Sequence, residues 1–197
     1  MKSKQNIISD YIERSIQTKK ALSISQREVI VQIAEEMINA YRRGNKVLWF
    51  GNGGSAADAQ HLACELVSKF YLERKALASI AFTTNTSELT AIANDYDFNH
   101  IFARQVEALV NQGDIVIGIS TSGKSQNVIE GIKKAKQLGA ITIAFTGASG
   151  GKLKGNVDIL LTVPSEVAPH IQESHIMIGH IICYLVEKEL FGDKNEK

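Results

Sequence analysis

The stretch "DIVIGISTSGKSQNV", residues 114–128, decides the fold. An apolar, β-branched run passes through a turn of small hydroxylated residues and glycine, then into helical spacing. A strand that turns directly into a helix is half of a βαβ unit, and such units build parallel sheets. The same stretch also matches the nucleotide-binding pattern G-x-x-x-x-G-K-[ST] over residues 118–125. That pattern needs its first glycine in the loop, so that the loop wraps a polyphosphate. Gly118 falls inside the apolar run, which leaves too short a turn. No other strand ends in an acidic residue placed for Mg²⁺, since "DILLTVPS" ends in Pro164 and Ser165 and "SIAFTTN" in Thr and Asn. The turn reads instead as a grip for a phosphate monoester. Ser120, Thr121, Ser122 and Ser125 offer hydroxyls, and amides opening a helix favour an anion. The plainer alternative is a polar turn with helix-capping serines.

Four more apolar runs of strand length flank it: "KVLWFG", "ASIAFT", "AITIAFT" and "VDILLTV". Helical stretches separate them: "SAADAQHLACELVSKF", "TSELTAIAND" with "NHIFARQVEALV", "SQNVIEGIKKAKQLG", a short "GGKLKG", and a long final "HIQESHIMIGHIICYLVEKELF". Strands buried on both faces and separated by helices predict a three-layer αβα sandwich around five parallel strands. Ahead of it, residues 1–43 read as two helices, the second capped by Ser23 or Ser25 and stopped by Gly44. They carry no glycine-rich loop and read as packing or self-association elements of one domain spanning residues 1–197. The terminal "GDKNEK" reads as a frayed tail.

Composition narrows the function classes. Residues are 44% hydrophobic and 22% charged, an ordinary globular balance, and the net charge of +1 offers no basic field to nucleic acid or an anionic membrane. No run approaches the ~20 apolar residues of a membrane span, and the charged start "MKSKQNIISDYIERS" lacks an apolar signal core. A cytoplasmic protein is expected, with Cys64 and Cys183 as reduced, buried thiols.

In parallel sheets, ligands bind beyond the carboxyl ends of the strands. There "GNGGSAAD" supplies a second glycine loop, with Ser55 opening a helix and Gly53 and Gly54 permitting close backbone approach. In the helix that follows, His61 and Glu65 are four apart and share a face. Such a pair suits a divalent metal, or equally a carboxylate base oriented by an imidazole. The last helix offers Gln172, Glu173, His175 and His180. Gln172 and His180 are eight residues apart, about 80° around the helix, and can face one cavity. His61, Glu65, Gln172 and His180 would make an N₂O₂ set for Zn²⁺, Mn²⁺ or Ni²⁺. His175 and Cys64 read as packing residues, and His100 as a lone loop histidine.

Together, "GNGGSAADAQHLACEL", "AIANDYDFNHIFARQVEAL", "GISTSGKSQNV", "TGASGGKL" and "IQESHIMIGHIICYLVE" resemble the phosphoheptose isomerases, a sugar-isomerase (SIS) domain family, over residues 26–190. The resemblance implies a homotetramer with active sites at subunit interfaces. It implies conversion of sedoheptulose 7-phosphate to D-glycero-D-manno-heptose 7-phosphate, the first step toward the heptose of lipopolysaccharide or related surface glycans. The implied zinc ligands are His61, Glu65, Gln172 and His180. The implied substrate contacts are Asn52, Gly53, Gly54, Ser55, Glu65, Asn94, Asp95, Ser120, Thr121, Ser122, Ser125 and Gln172. Glu65 is the expected base moving a proton between C1 and C2, and His180 the expected acid/base. Zinc would polarise the carbonyl and stabilise the enediolate.

The sequence departs from the family where Asn85 replaces a common Asp, Glu88 a small residue, Lys69 an Arg, and Pro169–His170 precedes "IQE" in place of Arg. These departures bear on substrate choice. Two other readings share the fold. One is a non-catalytic DnaA-associating replication initiator, which lacks the ligands at Glu65 and His180. The other is a sugar-phosphate-sensing module, which usually carries an appended domain.

Overall fold

A computed structural model describes residues 3–192; the expected fraying of residues 193–197 lies outside the described residues. Five strands form one parallel sheet: β1 (Val47–Gly51), β2 (Ser79–Ala81), β3 (Ile115–Ile119), β4 (Ile141–Gly147) and β5 (Ile159–Val163). Their order is β2-β1-β3-β4-β5. The chain leaves β1 toward one edge and returns to the other side of it, so the order reverses between β1 and β3. A crevice opens at such a switch point, beyond the carboxyl ends of those two strands. The two phosphate-grip candidates follow these two strands.

The helices are α1 (Lys4–Lys20), α2 (Ile24–Arg42), α3 (Gly54–Val67), α4 (Thr86–Asp95), α5 (Ile101–Leu109), α6 (Gln126–Gln137) and α7 (Ala168–Phe191). Alternating strand side chains feed two cores. Trp49, Ile117, Phe145 and Leu161 face α2, α3 and α7, while Phe50, Val116 and Ala144 face α5 and α6. The three-layer sandwich is therefore as the strand and helix pattern predicts. Gly118 lies within β3, paired with Phe50 and Ala144, so the P-loop geometry is excluded. Ser23 caps α2 in a reciprocal capping box with Gln26, and Gly44 follows the helix at φ +83°. Helix α1 packs on α7 but leaves Ile7, Ile8, Tyr11 and Ile12 exposed on the chain's surface.

Three expectations are corrected. Helix α3 ends at Val67, not Phe70, because Arg74 folds back onto the carbonyl oxygens of Glu65, Leu66 and Ser68. The short "GGKLKG" stretch makes only a 3-10 turn, Gly151–Leu153. Cys64 is exposed and only Cys183 is buried. The reason lies in α3: Leu62, Ala63 and Leu66 fill its core face, and Cys64 falls on the opposite side.

Candidate active site

The two loops at the switch point are locked together. Asn52, after β1, and Asn127, in the first turn of α6, exchange two side-chain hydrogen bonds of 2.8 Å. The turn after β3 is held by Gly123 N–H donating to Ser120 O at 2.9 Å. Ser125 stands at the N-cap of α6 but makes no side-chain cap bond. Its hydroxyl lies 3.1 Å from that of Ser120 instead. Two hydroxyls therefore converge where the helix presents its amino-terminal dipole. Lys124 is exposed, and its N–H donates to Ser122 Oγ at 3.2 Å. Gly123, at φ +62°, lies so close to the loop after β4 that a Cβ there would stand 2.2 Å from Gly150 O. The turn and that loop thus share one backbone contact, sealed by Lys152 N–H donating to Gly123 O at 2.8 Å.

The second part of the site spans α3 and α7. His61 Nε2 lies 3.1 Å from Glu65 Oε1 and 2.9 Å from His180 Nε2. Nitrogen, nitrogen and oxygen donors all fall within 4.8 Å of one another. Donors on a tetrahedral zinc, each about 2.0 Å from the ion, stand about 3.3 Å apart, so this triad fits a divalent ion. Burial, and then the neighbouring His61, lower the pKa of His180 against the opposing Glu65. A neutral imidazole is the form a metal requires.

Gln172 lies eight residues before His180 on α7. Its amide lies over Gly54, where a Cβ would meet it at 2.3 Å, and it hydrogen-bonds to Asp58. It therefore links the glycine loop to the start of the triad helix. Asp58 was not singled out by the sequence reading. It is buried, one carboxylate oxygen lacks a partner, and burial pushes its pKa up to about 6 against Gln172 and His61. Its spacing to His61 (i, i+3) was the available signal. Asn127 was missed because an Asn in a first helical turn is a common cap-region residue.

Other expected contacts are distributed differently. Asn52 and Ser55 are in the crevice region, with Ser55 buried. Asn94 and Asp95 bond to each other at the exposed carboxyl end of α4. That is ten residues, about 15 Å, along the helix from its cap Asn85. Asn85 caps α4 by accepting from the main-chain N–H of Glu88. Lys69 pairs with Glu73 at 2.7 Å on the surface. Pro169 sits in the first turn of α7, and His170 is buried, 2.7 Å from Glu173, with its ring tilted 56° against that of Tyr11 at 4.7 Å. His100 pairs with Asp97 at the surface, and His175 packs in the core, as expected.

Comparison with known proteins places this geometry. The SIS domain model matches residues 10–147. The phosphoheptose isomerase of Clostridium acetobutylicum is 56% identical over 192 residues, covering 96% of this chain and 98% of its own. The chain belongs to the phosphoheptose isomerase family. A second relative, the phosphoheptose isomerase of Aneurinibacillus thermoaerophilus, is 50% identical over 189 residues, covering 95% and 96%. The solved phosphoheptose isomerase of Francisella tularensis superimposes with a TM-score of 0.92 at 39% identity, covering 95% of this chain and all of that one. As a phosphoheptose isomerase family member the chain is a sugar-phosphate isomerase, and the SIS fold read from its strands is the family's fold. Among the described residues no helix is long and apolar enough to cross a membrane.

Proposed function

We propose that this chain interconverts sedoheptulose 7-phosphate and D-glycero-D-manno-heptose 7-phosphate, as an early step toward a surface-glycan heptose. The observation that carries the reading is the triad of His61, Glu65 and His180 on the helix that opens from the glycine loop. His61 is seven residues, about 10 Å, beyond Gly54 along α3, a span that an open-chain sugar phosphate bridges. The phosphate would be held by Ser55, Ser120, Thr121, Ser122 and Ser125 with the amides of Gly53 and Gly54, and Asn52 would fix the two loops. The reacting carbons would lie at the triad.

The reaction moves one proton from C1 of the ketose to C2 and one from O1 to O2, through an enediol. Glu65 would take the C1 proton and return it to C2. His180 would pass the hydroxyl proton between O1 and O2. His61, Glu65, Gln172 and His180 would hold Zn²⁺, which supplies a Lewis acid for the carbonyl. A residue that ligates zinc cannot act freely as a base at the same moment, so the ligating and proton-transfer roles of Glu65 and His180 would alternate.

The chain would act as one domain assembled into a homotetramer in the cytoplasm, with sites at subunit interfaces. One observation supports this: Ile7, Ile8, Tyr11 and Ile12 are exposed along α1. The test is turnover of sedoheptulose 7-phosphate with and without a chelator, together with metal analysis. Conversion that a chelator stops and zinc restores is expected. A protein that leaves the substrate unchanged overturns the reading.

A further inference from the structure

We propose that Arg74 and Glu187 form a bracket that sets the spacing of the two helices carrying His61, Glu65 and His180, and so act as positioning residues for the metal. The inference rests on the zinc reading above.

The pair is buried, with side chains 1% and 2% exposed, and Arg74 Nε donates to Glu187 Oε1 at 2.9 Å. The guanidinium spends its remaining donors on main-chain oxygens. Nη2 donates to Glu65 O at 2.9 Å, and Nη1 to Leu66 O at 2.8 Å, Ser68 O at 3.1 Å and Lys75 O at 3.1 Å. Glu65 O and Leu66 O lie in the last turn of α3, so Arg74 caps the triad helix at the residue that supplies its carboxylate. Glu187 answers from α7. Its carboxylate accepts from three successive N–H groups, Phe70 at 3.1 Å, Tyr71 at 2.7 Å and Leu72 at 3.0 Å. Burial pushes its pKa up, but these donors and Arg74 outweigh it, and the carboxyl ends below its ordinary value.

Glu187 lies seven residues after His180, nearly two turns, and so on the same face of α7. The bracket and the triad are two rungs between the same pair of helices. The loop drawn in by Glu187 also carries Phe70, whose ring centre stands 5.7 Å from that of His180. An imidazole against an aromatic wall and a carboxylate on a capped turn cannot drift apart independently. The planar fork of Arg is required for this, since one ammonium cannot serve a carboxylate and four carbonyls together.

A role in folding alone would use the same contacts, so the test separates the two. A matched carboxylate, Asp114, is 1% exposed and lies 2.6 Å from Lys46 at the opposite, amino end of the strands. Glu187→Gln, Arg74→Lys and Asp114→Asn would be prepared in the full chain, and oligomeric state and denaturant midpoint recorded. Zinc affinity would be measured by chelator competition, and the visible spectrum of the cobalt-loaded protein recorded. Glu187→Gln and Arg74→Lys should weaken zinc roughly 10- to 100-fold and alter the cobalt bands, as loss of an outer ligand support does. Asp114→Asn should lose stability but keep wild-type affinity and spectrum. Wild-type affinity in both bracket variants overturns the inference, as does failure of both to fold. A wild-type chain that binds no zinc overturns the metal reading, and the inference with it.

Discussion

His175 Nε2 lies 3.1 Å from the main-chain oxygen of Thr146, and the ring's Nδ1 has no hydrogen-bond partner. A carbonyl only accepts, so the ring must carry its proton on Nε2 and stay neutral. Burial drives its pKa down to about 4, against the pull of that bond. The unfolded chain takes up a proton near the ordinary value of about 6.5, which the folded chain refuses until about 4. Stability therefore falls as pH drops through that window, by roughly 3 kcal/mol from this group alone. Denaturant unfolding at pH 7 and pH 4.5 should show the loss, and His175→Gln should flatten it. An equal slope in the variant would remove His175 as the cause.

The serine turn and its lysine make opposite predictions. Ser120→Ala with Ser125→Ala removes both converging hydroxyls, and hydrogen bonds to a charged group are worth about 1.5–3 kcal/mol each, so kcat/KM should fall at least 100-fold. Lys124→Ala removes an exposed charge and should cost less than about threefold, in line with weak surface electrostatics. Steady-state kinetics of the two variants decides it. The reverse ranking would return the phosphate grip to the lysine.

Two glycine substitutions should fail in different ways. In Gly54→Ala the new methyl meets only the amide end of Gln172, a flexible side chain. Gln172 swings aside, the fold survives, and turnover falls, since a 1 Å misplacement can cost about 100-fold. In Gly123→Ala the methyl meets the Gly150 backbone, at a positive φ. That should lower the melting temperature by several degrees, from a strain of order 1–3 kcal/mol. Thermal melts beside turnover assays distinguish the two outcomes.

Replacing Glu65 by Gln or His180 by Gln should abolish turnover while leaving assembly and melting temperature near those of the unmodified chain. Both side chains are partly exposed, so neither holds up a core. Full activity in either variant would move the proton-transfer role to another residue.

The sheet was legible because short continuous apolar runs and glycine turns are local signals, and every expected strand is present. His61 and Glu65 were legible because helical spacing alone puts them on one face, and His180 because the long α7 had to pass nearby. Arg74 and Glu187 were not. Arg74 lies in a segment between a helix and a strand, and Glu187 in the charged end of the last helix, where no spacing pairs them. Only the folded chain shows that one charge from each is buried against the other. Asp58 offered only its i, i+3 spacing to His61, which does not tell a buried carboxylate from an exposed one. The burial of Cys64 was misjudged because helical spacing fixes relative angles and leaves the choice of face open.

The paired amides of Asn52 and Asn127 stiffen one end of the crevice, while His61 at the other end has half its side chain exposed. A handle held between two locked loops and a reacting centre open to solvent divide the labour of binding. Energy released at the handle can then be spent on ordering the carbons that react. A sugar stripped of its phosphate should therefore turn over slowly even when supplied at saturation.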